Sequence, residues 1–214
     1  MLINFAVKSK ILPQAAFLEP KLFSDFFNLP IELSQCPATS YFNKNFYVVS
    51  FPFDFESLIK INKDQIIFEY STHDPKQDWI TFNRRQNNLV DMQLNGFAYY
   101  FWSDKDCYSE SWGSEILQAT KIYGSYNIKN WIRAIHPSYV IDCTQEQKIP
   151  IKFKRGDPWL FVRFQTKEKV NLKYNFDKSI IEEARKMAES TEFLSGYKKY
   201  FNIFSKIRPK KLTK

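Results

Sequence analysis

The chain holds 214 residues, 44% of them hydrophobic and 18% aromatic, enough for one domain that buries on the order of 70% of its unfolded surface. Five glycines, none within five residues of another, exclude a glycine-rich phosphate loop or dinucleotide fingerprint, and no cofactor is expected. The net charge of +8 falls almost wholly at the end: Lys198, Lys199, Lys206, Arg208, Lys210, Lys211 and Lys214 follow Phe193 with no acid among them, so the body is near neutral.

Phe, Tyr and Trp number 21, 12 and 5, a balance that suits pleated surfaces better than helix faces. In chain order, strands are expected at residues 2–7, 46–51, 65–70, 97–102, 119–123, 130–135 and 170–174, with a short helix in 20–33. The cleanest pattern surrounds Gly156. Ile149, Ile151 and Phe153 alternate with Pro150 and Lys152, Lys154-Arg155-Gly156-Asp157 makes a turn, and Leu160, Val162 and Phe164 alternate with Phe161, Arg163 and Gln165. This predicts a β-hairpin with one face in the core, and Pro150 belongs on an edge or at a strand start. At Asp177 the character changes. Ser179-Ile180-Ile181-Glu182 fits a capping box, and Ile180, Ala184 and Met187 keep helical spacing to about residue 189. Beyond Gly196, Tyr197, Tyr200, Phe201, Phe204 and Ile207 fall on one stripe with lysines opposite, a basic amphipathic helix stopped near Pro209. The expected fold is mainly β, a β-sandwich or jelly-roll-like domain over 1–176 with a helical, basic C-terminal extension over 177–214.

Cys36, Cys107 and Cys143 are odd in number and widely spaced, so reduced thiols are expected rather than a disulfide framework. The first ten residues lack the basic region, long apolar run and cleavage site of a signal peptide. No stretch approaches the roughly 20 apolar residues of a transmembrane helix. A cytoplasmic location follows as the expectation.

Four short signatures recur in a fixed order: Cys36-Pro37; Ser50-Phe51-Pro52-Phe53-Asp54; Gly124-Ser125-Tyr126-Asn127-Ile128 with Trp131 and Arg133; and Lys154 through Thr166. On these the chain, over about residues 36–175, resembles a family of small proteins of tailed bacteriophages, largely phages of marine bacteria. It departs from the pattern at the extra Phe51 and at Ala134-Ile135, where a proline usually follows the arginine. The resemblance implies a β-sandwich-like fold, a phage-type origin and a place in the host cytoplasm or the virion. It supplies no catalytic residue.

The segment 103–115 is the most suggestive for chemistry. Read as a loop, it carries Asp104, Asp106, Glu110 and Glu115 with Tyr108 and Trp112. Carboxylates suit hard cations and aromatic faces suit sugars or flat rings, although the spacing of a calcium loop is missing; a solvated acidic loop over an aromatic core is the plainer account. His73 precedes Asp74 directly, whereas iron-binding jelly rolls present H-x-D or H-x-E, so His73 and His136, each near a turn proline, read as loop histidines. Acidic neighbours should raise the pKa of Cys107 and blunt it. Cys36 and Cys143 have no evident base. Arg155-Gly156-Asp157 spells an adhesion tripeptide, and a tight turn explains it equally well.

Three functions follow. The first is a non-enzymatic phage accessory or virion-associated protein that works by assembly or protein-partner binding, including self-association. The second is an enzyme acting on a sugar, nucleotide or metal-bound substrate through Asp104, Asp106, Tyr108, Glu110 and Trp112 with His73 or His136 as base. The third is binding of nucleic acid or another polyanion through Lys198, Lys199, Lys206, Arg208, Lys210 and Lys211.

Overall fold

The computed structural model describes residues 1–9, 16–62, 65–70, 80–84, 89–94, 97–113, 120–121, 124–129, 131–136, 138–143 and 148–190. Period-2 alternation builds its first sheet. In β1 (Leu2–Ser9), Ile3, Phe5 and Val7 turn to one side and Ala6 to the other, as strand geometry requires. β1 runs between β8 (Phe97–Trp102), antiparallel, and β15 (Asn171–Tyr174), parallel.

A five-stranded sheet lies against it, ordered β11 (Gly124–Asn127), β9 (Tyr108–Gly113), β14 (Pro158–Gln165), β3 (Phe46–Ser50) and β2 (Lys21–Leu22). Two smaller sheets complete the β structure. One is β13 (Lys148–Phe153), β4 (Phe55–Asn62) and β5 (Gln65–Tyr70); the other is β10 (Thr120–Lys121), β12 (Ser138–Asp142), β7 (Leu89–Leu94) and β6 (Ile80–Arg84). The described chain is therefore mainly β, in several sheets.

All four sheets feed one core. Phe5, Tyr99 and Phe101 from the first, Val49, Val162 and Phe164 from the second, Ile59 and Phe153 from the third, and Met92 and Tyr139 from the fourth pack together. Fully burying such side chains stabilises by about 1.5–3 kcal/mol each before the entropy of ordering them is subtracted. A bulge between Pro158 and Leu160 places consecutive Trp159 and Leu160 in that core, an irregularity that re-aims side chains a regular strand would send to opposite faces. Gly113 is required where β9 meets β12, because a Cβ there would lie 2.7 Å from the Tyr139 ring. Asn45, at φ 64°, holds the approach to β15. Its amide donates to the carbonyls of Thr166 and Glu168 and accepts from the Val170 N–H at 2.7 Å.

The outer faces of the two larger sheets are covered differently. On the first sheet, Ala6, Ala98, Tyr100 and Trp102 receive Ile180, Ile181 and Ala184 of α4 (Lys178–Ser190). On the five-stranded sheet, Phe46, Val48 and Phe161 lie under Phe23 and Phe26 of the one-turn helix α1 (Phe23–Phe26). Helices α2 (Ile31–Gln35) and α3 (Pro37–Asn43) follow it, so the helical content expected in 20–33 is present and continues to residue 43.

Several expectations are corrected. β13 and β14 do not form a hairpin: β13 pairs with β4, and β14 pairs with β3 and β9. The turn at Gly156, φ +94°, is a corner between sheets. Phe51 explains this, since its N–H donates to the Asp157 carbonyl at 2.8 Å and its carbonyl accepts the Gly156 N–H at 2.9 Å, inserting the Ser50–Asp54 signature into the corner. Segment 130–135 is not a strand; Ile132 and Ile135 are both buried but in separate clusters, and one bridge, Tyr99 to Ile135, is its β contact. The cap of α4 is Asp177 rather than Ser179: the Asp177 carboxylate accepts the N–H groups of Ser179 and Ile180 at 2.9 and 3.3 Å. Met187 and the amphipathic stripe past Gly196 lie outside the residues, or side chains, that are described.

Candidate functional site

The segment expected to be an acidic loop is a strand over most of its length. A turn over Ser103–Cys107, in which the Ser103 hydroxyl accepts the Lys105 N–H at 3.2 Å, leads into β9. There Tyr108, Glu110 and Trp112 share the outer face, while Ser109, Ser111 and Gly113 face inward. Small polar residues on the core side disguise the strand, because the alternation has no apolar member to announce it.

This placement disperses the acids. Asp104 is exposed. Asp106 accepts from Lys129 Nζ at 2.9 Å and from Asn127 Nδ2 at 3.2 Å, and the lysine above all, with the asparagine, holds its carboxyl below the usual range. Glu110 meets the Gln165 amide and stands opposite Arg163 in register. Successive outer positions on a strand are about 7 Å apart, so Asp106 and Glu110 serve different partners. Among the described residues no three of His, Cys, Asp and Glu gather as a metal site. Glu115 and His73 lie outside the described residues, as do Lys198, Lys199, Lys206, Arg208, Lys210 and Lys211. His136 is half-buried just after the bridge from Ile135 to Tyr99, on the side of β8 away from the turn that carries Asp104 and Asp106.

The thiols divide by position. Cys107 is buried in the core, and burial, not the neighbouring acids, pushes its pKa up to about 11. Cys143 is also raised, by burial and then by Asp142. Cys36 is exposed at the start of α3, where the N–H groups of Thr39 and Ala38 and the Thr39 hydroxyl lower its pKa. The missing side-chain base is thus replaced by backbone donors at a helix start. All three are free.

The signature residues do structural work in this geometry. Arg155 donates through its guanidinium to the carbonyls of Ala16, at 2.8 Å, and Pro52, and its N–H reaches Asp54 Oδ1 at 2.8 Å. Asp157 Oδ2 accepts the Lys154 N–H at 2.7 Å. The adhesion tripeptide is folded into the sheet corner. In the third signature Arg133 lies over the rings of Trp131, at 4.8 Å, and Tyr126, at 5.8 Å, and Tyr126 is buried opposite Ser109.

What the sequence reading missed is an aromatic outer layer on the five-stranded sheet. Phe23 stacks on Phe46 at 4.7 Å, Trp112 stacks on the same ring at 5.3 Å, and Phe161 lies 5.7 Å from it. The α1–α2 segment then leaves large apolar side chains in water: Phe27 at 42% exposure, Ile31 at 68% and Leu33 at 50%. Its signal was the presence of Phe46, Val48 and Phe161 on strand positions opposite to the core-facing ones. A sheet with bulky apolar residues on both faces needs a second cover.

Comparison with models of protein families, with curated proteins and with solved structures finds no match for this chain.

Proposed function

We propose that this chain is a non-enzymatic phage-type accessory or virion-associated protein, of β-sandwich or jelly-roll-like design, that acts by binding a protein partner or assembling. One observation carries the reading: the aromatic layer of the five-stranded sheet ends in an apolar ridge, Phe27, Ile31 and Leu33, within seven residues of chain. Aromatic anchors beside exposed aliphatic side chains are the usual composition of an interface core. The carboxylates that an enzymatic reading would recruit support it indirectly, since Asp106 is engaged by Lys129 and Glu110 by Gln165. The phage origin rests on the order of the four signatures.

The test is incorporation. In a culture producing phage particles with this chain, mass spectrometry of purified particles or assembly intermediates should find it in defined copy number, and Ile31→Glu/Leu33→Glu should reduce that number severalfold. Absence from every particle fraction, together with a strictly monomeric chain by light scattering, would overturn the reading.

A further inference from the structure

We propose that the apolar ridge of one copy receives the basic, aromatic C-terminal segment, residues 193–214, of a second copy. The proposal rests on the interface reading above and names the partner. Two independent features point to it.

The first is chemical complementarity. Between residues 19 and 43 the charges are Glu19, Asp25 and Glu32 against a single Lys21, and all three acids are exposed around Phe27, Ile31 and Leu33. The segment 193–214 has the opposite design, with Tyr197, Tyr200, Phe201 and Phe204 interleaved with Lys198, Lys199, Lys206 and Arg208 and no acid. An apolar strip rimmed by acids and an aromatic strip rimmed by cations bury area and pair charge in the same register.

The second is reach. The inner faces of the first and the five-stranded sheets share one core, α4 covers the outer face of the first, and α1 covers the outer face of the other. The end of α4 at Ser190 and the ridge therefore lie on opposite sides of the molecule. Sheets packed ~10 Å apart with a helix ~10 Å wide on each side put α4 and α1 about 30 Å apart through the protein, and farther around it. Residues 191–196 extend the chain by at most about 25 Å. The stripe that begins at Tyr197 falls short of its own ridge but meets that of a neighbour. A donor and an acceptor on opposite sides give either a reciprocal two-fold dimer or a head-to-tail array.

The test uses the full-length chain throughout. Sedimentation velocity of the wild type should show concentration-dependent association that weakens roughly tenfold as salt rises from about 50 mM to about 500 mM. Ile31→Glu/Leu33→Glu, on the ridge, and Phe201→Glu/Phe204→Glu, in the tail, should each be monomeric with an unchanged circular dichroism spectrum. Mixed in equal amounts they should associate, because one supplies an intact tail and the other an intact ridge. Should either variant lose its fold, the charge swap Lys199→Glu/Lys206→Glu, rescued by Asp25→Lys/Glu32→Lys, poses the same question. A monomeric wild type, or a mixture that stays monomeric, overturns the proposal. Particle incorporation that depends on the ridge but not on the tail also overturns it, and would leave the interface reading standing with a different partner.

Discussion

The two covered sheet faces of this molecule use opposite solutions. Under α4 the sheet offers small residues, Ala6 and Ala98, beside Trp102, and a helix of 13 residues, capped by Asp177, seals them. Under α1 the sheet offers Phe46, Phe161 and the half-buried Trp112, and the cover is a single uncapped turn. Small side chains let a long helix approach closely and close the surface. Bulky rings hold a short helix off and leave its apolar rim wet, so the first face reads as architecture and the second as a surface awaiting a partner.

The largest effect should come from breaking the sealed face. Trp102→Ala should destabilise by about 3–5 kcal/mol in urea unfolding, whereas Trp102→Phe should cost far less, because the buried indole N–H has no hydrogen bond to lose. Asp177→Ala, which strips the cap of α4, should cost about 1 kcal/mol by the same measurement. The open face should behave in the reverse manner: Ile31→Ser/Leu33→Ser should shift stability by no more than about 0.5 kcal/mol while markedly reducing the binding of a dye that reports exposed apolar surface. A stability loss there comparable to that of Trp102→Ala would show the ridge to be core instead.

The smallest effect separates the thiols. Cys36, on the helices beyond the open face, should be alkylated first, at a rate that already rises below the pH at which an ordinary thiol ionises, since its pKa is lowered. Cys107, raised to about 11, should stay inert at neutral pH until the chain unfolds. Equal rates for the two in the native protein would contradict the burial assigned to Cys107.

Much of the strand content was legible because alternation is local. The runs at 65–70 and 97–102 coincide with β5 and β8, and Pro150 lies on an edge strand, as its missing N–H demands. The strands β4, β6, β7 and β12 were not recognised, and β9 was read as a loop because serines occupy its inner face. The candidate site fared worse than the fold. Acids close in sequence looked like one constellation, and a strand spread them among Lys129, Gln165 and solvent.

The sequence by itself determined which side chains alternate, where the glycine at residue 156 turns the chain, and how charge divides between body and tail. Only the tertiary structure decided that β13 and β14 part into different sheets, that Phe51 closes the corner between them, and that one outer face is sealed while the other stays open. The reason is that alternation depends on near neighbours alone. Backbone N–H and C=O groups must find partners wherever the whole chain supplies them, and in this protein Phe51 and strands β3 and β4, about a hundred residues away, supply them to the corner and its two strands.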